Sequence, residues 1–257
     1  MIKRVLLFFT VVCLLAAWLT TGVSAARAWY CPKSVGGKQP QTPSDLGEAL
    51  AHGAYYLDLR RGDDSADRVV YLTFDAGYEN GNVAKVLDVL AEKKVSAAFF
   101  VLKHFVLANA DLIARMGREG HLICNHTATH KNLSDATREE IAAELNALAE
   151  AVTDAGAVCQ NYFRPPEGAY SVEMLERVAS LGYRTVFWSV AYADWDNNRQ
   201  MAPAQALSLL QSRVHNGAVI LLHPTSATNA AILGELIDAL REQGYRFATL
   251  DELCIAR

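Results

Sequence analysis

The sequence predicts an α/β fold built on a parallel sheet, closed or nearly closed as a barrel, with helices outside. Two observations carry that prediction. From residue 69 onward, short apolar runs alternate with helical patterns seven times. The runs are apolar at successive positions rather than at alternate ones, as strands are when helices cover the sheet. The punctuation agrees: Gly120, Gly156, Gly182, Gly217 and Gly244 each fall between a helical pattern and the next apolar run. A glycine there ends a helix in the left-handed conformation at little cost.

Residues 1–28 read as a secretory signal peptide. Lys3 and Arg4 give a positive start, 5–19 are almost wholly apolar, and small residues surround Ser24, Ala26 and Ala28. Fifteen apolar residues fall short of the ~20 that span a bilayer comfortably; left uncleaved, the segment would act as an N-terminal anchor. Residues 29–68 form a polar lead-in with Pro32, Pro40 and Pro43 and one short helix over 44–51, read as a strap over the domain. The domain proper is assigned to 69–257. Its strands are expected at 69–74, 97–101, 122–125, 161–163, 185–189, 218–222 and 245–249. Helices are expected at 82–93, 107–119, 137–155, 171–181, 203–214 and 229–243. Thr137-Arg138-Glu139-Glu140 is a capping-box signature, and Pro203 suits a first helical turn.

Composition narrows the function class. About half of the 257 residues are hydrophobic, which suits one α/β domain, and the net charge of −4 with no basic face argues against nucleic acid as a partner. Removal of the signal takes the basic residues from 24 to 21 against 28 acidic, a net charge of −7. An exported enzyme meets its substrate where ATP and nicotinamide cofactors are scarce, so hydrolysis is the favoured reaction. Four cysteines remain after Cys13 is removed, and their spacing matches no zinc motif. Cys124 reads as core; Cys31 and Cys254, near the two ends, are the pair that export would allow to join.

Five strand ends carry reactive side chains: Asp75, His126 with His130, Arg164, Asp194 and His223. In a parallel barrel all of them reach the same rim. His126-Thr127-Ala128-Thr129-His130 places two imidazoles four residues apart, and a coiled segment would turn both towards one divalent cation. Arg164 precedes Pro165 and Pro166, which stiffen its loop. Taken singly, each residue has a structural reading: Asp75 as a helix cap, Arg164 as a salt bridge, His223 as a satisfied core histidine, Asp194-Trp195 as a turn. Together they match what hydrolysis of an amide or ester requires, namely a base and cation for water, oxyanion stabilisation and an acid for the leaving group.

The order Thr73-Phe74-Asp75, His126-Thr127-x-x-His130, Arg164-Pro165-Pro166-x-Gly168, Asp194-Trp195 and Leu221-Leu222-His223 resembles the NodB-homology polysaccharide deacetylases, carbohydrate esterase family four. Within that family, Phe74-Asp75-x-Gly77-Tyr78-Glu79-Asn80 and the run Val186-Phe187-Trp188-Ser189-Val190-Ala191 are similar to the delta-lactam-biosynthetic de-N-acetylases, which act on muramic acid in spore-cortex peptidoglycan. The resemblance implies a distorted (β/α) barrel of about seven parallel strands. It implies Asp75 as the base, His223 as the acid, Asp194 as its orienting partner, Arg164 as the holder of Asp75, and His126 and His130 as metal ligands. Ala76 stands where most of the family has a further aspartate, the third metal ligand, so weaker and less selective binding of zinc, manganese, magnesium or cobalt is expected.

The function expected is hydrolytic de-N-acetylation of N-acetylmuramic acid on a peptidoglycan glycan strand. The enzyme is expected to be a monomer without a protein partner, secreted or in the cell envelope. Asn80, Trp195, Pro165 and Gly168 are expected to touch the sugar, Trp195 with Tyr170 or Tyr192 by stacking. The lactyl carboxylate of muramic acid calls for a cation or amide donors, for which Arg199 and Asn80 are the candidates. The alternatives are an N-acetylglucosamine deacetylase, acting on peptidoglycan or chitin, and a glycan-binding cell-wall protein that has lost the chemistry.

Overall fold

The structure is a computed structural model and describes residues 26–255. The signal peptide expected over 1–28 therefore lies outside the described residues but for its last three. Among the described residues no helix is long and apolar enough to cross a membrane.

In chain order the elements begin with β1 (Arg27–Ala28), α1 (Ser44–Ala51), β2 (Val69–Ala76), α2 (Asn82–Lys93) and β3 (Ala98–Val101). They continue with α3 (Lys103–Ala108), α4 (Ala110–Arg118), β4 (Leu122–Asn125), α5 (Arg138–Asp154) and β5 (Cys159–Phe163). After a 3₁₀ turn at Pro166–Gly168 come β6 (Ala169–Tyr170), α6 (Val172–Ser180), β7 (Arg184–Thr185) and α7 (Pro203–Arg213). The last are β8 (Ala218–Leu222), α8 (Ala227–Glu242), β9 (Arg246–Ala248) and α9 (Leu250–Leu253).

Seven strands form one parallel sheet in the order β7-β5-β4-β3-β2-β8, with β9 paired to the first three residues of β2. The sheet curls into the distorted barrel expected. Its walls follow strand periodicity. Along β2, Val70, Leu72, Phe74 and Ala76 join the layer packed under α2, α7 and α8, whereas Val69 and Tyr71 join the barrel interior with Phe100, Cys124 and Val219. Leu250, Leu253 and Cys254 belong to this interior cluster too.

Two expectations need correction. The helix expected over 107–119 is two helices, broken at Asn109, whose side-chain amide donates to the Phe105 carbonyl at 2.9 Å. A side chain that takes a helical carbonyl competes with helix continuation. The strand expected over 185–189 is ordered as strand only at Arg184–Thr185. Its remaining length is shared: Tyr55 pairs beside Val186, Leu57 pairs beside Ala218, and Val190 bridges to Ile220. The lead-in thus wedges into the seam between β7 and β8, and a single bridge joins the two sides nearer the rim. Gly217, at φ 74°, permits this close approach, since a Cβ there would lie 2.6 Å from the Asp58 carbonyl oxygen.

The lead-in is tied down elsewhere as well. Trp29 stacks on Phe187 with centroids 4.3 Å apart and donates to the Trp188 carbonyl at 3.0 Å. The Gln39 amide donates to the carbonyls of Asp58, Arg61 and Asn216. Among the described residues all four cysteines are free. The pairing considered for Cys31 and Cys254 does not form, because Cys31 bonds the Ser189 carbonyl beside the rim cavity whereas Cys254 is buried in the barrel interior.

Candidate active site

Because Val69 and Tyr71 point into the barrel, Thr73 and Asp75 on the same face of β2 point inward too, at the rim end. Arg164 follows β5 and is fully buried, yet every part of its fork is matched. Nη1 donates to Asp75 Oδ1 at 2.7 Å, Nη2 to Thr73 Oγ1 at 2.9 Å, and Nε to the Val186 carbonyl at 3.0 Å. The guanidinium lies 4.1 Å over the Phe100 ring. Burial alone would raise the Asp75 pKa, but Arg164, His126 and His223 together outweigh it and hold the carboxyl below its ordinary value. Asp75 therefore stands ionised, with Oδ2 left towards the cavity.

The two imidazoles meet on the loop that follows β4. Thr127 and His130 both have positive φ, 73° and 59°, and such backbone is costly for a β-branched residue. The loop is held by a residue that sequence reasoning missed. Glu144 of α5 accepts from Ala128 N, Thr129 N and Thr129 Oγ1, each at 2.9 Å, and Thr127 Oγ1 accepts from His130 N. The rings of His126 and His130 stand 5.1 Å apart, edge to face. His126 Nδ1 lies 2.8 Å from the Arg164 carbonyl, an acceptor only, so Nδ1 carries the hydrogen and Nε2 keeps its lone pair. Burial pushes the His126 pKa down to about 4, which keeps the ring neutral.

Two imidazoles offer a divalent cation a pair of donors, a neutral ring oriented by a carbonyl behind it and a second ring beside it, with the Asp75 carboxylate near them at 3.6 Å from His126 Nε2. Among the described residues no group of three or more His, Cys, Asp or Glu side chains converges in ligating geometry. Ala76 packs in the outer layer and offers no donor.

Opposite this pair, His223 follows β8. Asp194, almost wholly buried, accepts from His223 Nδ1 at 2.7 Å and from His223 N at 2.8 Å. Burial works to lower the His223 pKa, but the Asp194 hydrogen bond and charge, with Asp75, raise it above its ordinary value. Asn229, in the first turn of α8, was also missed. Its amide donates to Asp194 Oδ2 at 2.6 Å and to the His223 carbonyl at 3.0 Å, and its oxygen accepts from Tyr192 Oη at 2.5 Å. Its signal was a polar residue on a helix face otherwise filled by Ile232, Leu233 and Leu236.

A cavity of about 760 Å³ opens at this rim. Asp75, His126, His130, His223, Pro165, Gly168 and Trp195 line it, while Arg164 and Asp194 stand behind the wall. Tyr192 lines it with its hydroxyl engaged; Tyr170 does not, being wholly buried in edge-to-face contact with Phe187. Asn80 is not among the lining residues either. Its amide donates to the Thr225 carbonyl at 2.9 Å and its oxygen accepts from Asn82 N, so it fastens the start of α2. Arg199 is exposed and outside the cavity.

A barrel rim that presents a held carboxylate, a histidine pair and a carboxylate-backed histidine defines a class, and the chain belongs to it: the polysaccharide deacetylase family, whose model matches residues 62–186. It is a hydrolase acting on amide C–N bonds. The chain is 38% identical over 251 residues, 94% of each chain, to the peptidoglycan-N-acetylmuramic acid deacetylase PdaA of Bacillus subtilis. The solved structure of that protein, a family 4 carbohydrate esterase, superposes with a TM-score of 0.83 over 89% of this chain and 96% of that one, at 39% identity. A family 4 carbohydrate esterase from Bacillus anthracis gives a TM-score of 0.71 at 35% identity over 89% of this chain and 96% of that one.

Proposed function

We infer that this chain removes the acetyl group from N-acetylmuramic acid in peptidoglycan. The observation that carries the reading is the meeting of two held pairs, Asp75 with Arg164 and His223 with Asp194, across one cavity that also contains the two imidazoles. The near full-length similarity to a muramic acid deacetylase supports the choice of sugar. The reading includes action outside the cytoplasmic membrane on a glycan strand, by a monomer that engages no nucleic acid. In a spore-forming host, the amine left on muramic acid would go on to the delta-lactam of cortex peptidoglycan.

His126 and His130 are the residues that would hold a divalent cation, whose chemistry there is to polarise the acetamido carbonyl and acidify water. The remaining steps belong to the chain. Asp75, ionised and fixed through Oδ1 by Arg164, accepts the proton of the attacking water through Oδ2. His223 enters as the imidazolium. Its Nδ1–H stays on Asp194, and its Nε2 proton goes to the sugar nitrogen as the C–N bond breaks. Acetate leaves and a free amine remains on the glycan. Trp195, exposed at the rim, offers an apolar face to a sugar ring.

The test is acetate release from purified peptidoglycan fragments by the chain without residues 1–28, with mass loss located on muramic acid or on glucosamine. Loss on muramic acid supports the reading; loss confined to glucosamine replaces it with the N-acetylglucosamine alternative; binding without release leaves only the glycan-binding one. Asp75→Asn is expected to lower the rate by at least ~10²-fold, and near wild-type activity in that variant would remove Asp75 from its role. Dialysis against a chelator is expected to abolish activity, with recovery on adding a divalent metal.

A further inference from the structure

Asp194, the partner of His223, stands on the crossing between Val190 and α7, outside every strand and helix. A carboxylate carried there needs side chains to set its position, and the one that reaches it from the packed helices is Asn229. Ser226 caps α8, its Oγ accepting from Asn229 N at 3.1 Å, and Ile232, Leu233 and Leu236 seat that helix in the outer layer. Asn229 is thus anchored to the body of the molecule, apart from the pair it touches.

One amide grips both members of that pair. Nδ2 donates to Asp194 Oδ2 at 2.6 Å and to the His223 carbonyl at 3.0 Å, which uses both of its hydrogens. Turned over, the amide would set its oxygen against two acceptors, so its rotation is fixed. Tyr192 Oη, donating to the amide oxygen at 2.5 Å, adds to that lock. Asn229 and Asp194 are each 1% exposed, and a donor lost there leaves a buried acceptor short of a partner. The need is greatest once the Nε2 proton of His223 has gone to the sugar nitrogen. His223 is then neutral, and the Asp194 charge rests on His223 Nδ1, His223 N and the Asn229 amide.

Resting on the assignment of His223 as the acid and Asp194 as its partner, we propose that Asn229 is a positioning residue for deacetylation, holding Asp194 and His223 in line through one amide that Tyr192 helps to lock. Asn229 does not line the cavity and acts only through Asp194. Its contribution is to kcat, and it exists only while the carboxylate is there to be held.

The test is a double-mutant cycle on the full chain with divalent metal supplied. It is read as kcat and KM for acetate release from a tetrasaccharide of alternating N-acetylglucosamine and N-acetylmuramic acid. Asn229→Leu, which keeps a branched side chain of similar shape and removes the amide, is expected to lower kcat about tenfold and to leave KM within about twofold. In the Asp194→Ala background the same substitution should lower kcat by less than about twofold, because the group it holds is gone. A variant that merely loses folded protein lowers kcat by one factor in both backgrounds, and that outcome overturns the proposal. Tyr192→Phe keeps the ring on the cavity wall and removes only the hydroxyl. A loss of about threefold is expected from it, again confined to the background that retains Asp194. If Asn229→Leu does not fold, the Tyr192→Phe cycle decides by the same criterion. Wild-type kcat in folded Asn229→Leu also overturns the proposal. Asp194→Ala at the wild-type rate overturns the acid assignment itself and the proposal with it. Acetate released only from the glucosamine residues overturns the muramic acid reading, while the comparison of the two backgrounds still decides the role of Asn229.

Discussion

At the scale of single residues, the proposed acid and base owe their protonation states to the partners buried behind them. In the proposed scheme His223 acts protonated, and Asp194 holds its pKa above the ordinary value against the opposing effect of burial. Deacetylation should therefore fall as the pH rises through that raised value, at higher pH than an unassisted imidazole would allow. Asp75, with its pKa held below the ordinary carboxyl range, should cause no loss until the medium is strongly acidic. Asp194→Asn removes the charge that raises His223. The alkaline limb of the kcat profile should move to lower pH, with a rate loss of about 10²-fold. Arg164→Met leaves a largely buried carboxylate uncompensated. Urea unfolding should show a loss of about 3 kcal/mol, the low end for such pairs because Asp75 opens on the cavity. The reactive residues themselves were legible because each ends an apolar run. Asn80 and Arg199 lie outside the cavity lining, because whether a polar side chain reaches a cavity is settled by loop geometry that spacing does not carry.

At the scale of elements, the loop 126–130 and helix α5 act together. The histidine spacing could be read directly from the sequence. Its clamp could not, since Glu144 lies a whole segment later on a helix where glutamate reads as solvated surface. Three hydrogen bonds donated by the loop to that one carboxylate hold it in its left-handed turns. Glu144→Ala should weaken divalent-cation affinity about 10- to 100-fold, as loss of supporting contacts does at other metal sites, measured by calorimetry on the metal-free protein. Glu144→Gln keeps one oxygen acceptor and should fall between the two. The break at Asn109 shows the same limit from another side. The apolar pattern marks where a helix packs, while the side-chain bond that interrupts it depends on a single carbonyl.

At the scale of the whole molecule, the parallel sheet and the shared rim followed from the alternation of apolar runs with helical patterns, because buried parallel strands are apolar on both faces. The seam did not, because it is made between residues far apart in the chain. Tyr55 and Leu57 complete the wall that β7 leaves short, and Trp29 covers Phe187. The lead-in is therefore part of the folded wall rather than a strap. Trp29→Ala should cost about 3–5 kcal/mol in urea unfolding. A chain beginning at Val69 should fail to give a cooperative transition.

The single bridge between Val190 and Ile220 has a wider consequence. Just past it, residues 191–202 carry Asp194 and Trp195 over the mouth without belonging to any ladder, and the wedge below supports the frame independently. Apart from Tyr192 and Asp194, which are tied to Asn229 and His223, that arc is free to drift in composition while the wall stays intact. Relatives with this architecture can thus diverge in the glycans they accept by rewriting one short crossing, with little demand for compensating change in the strands beneath.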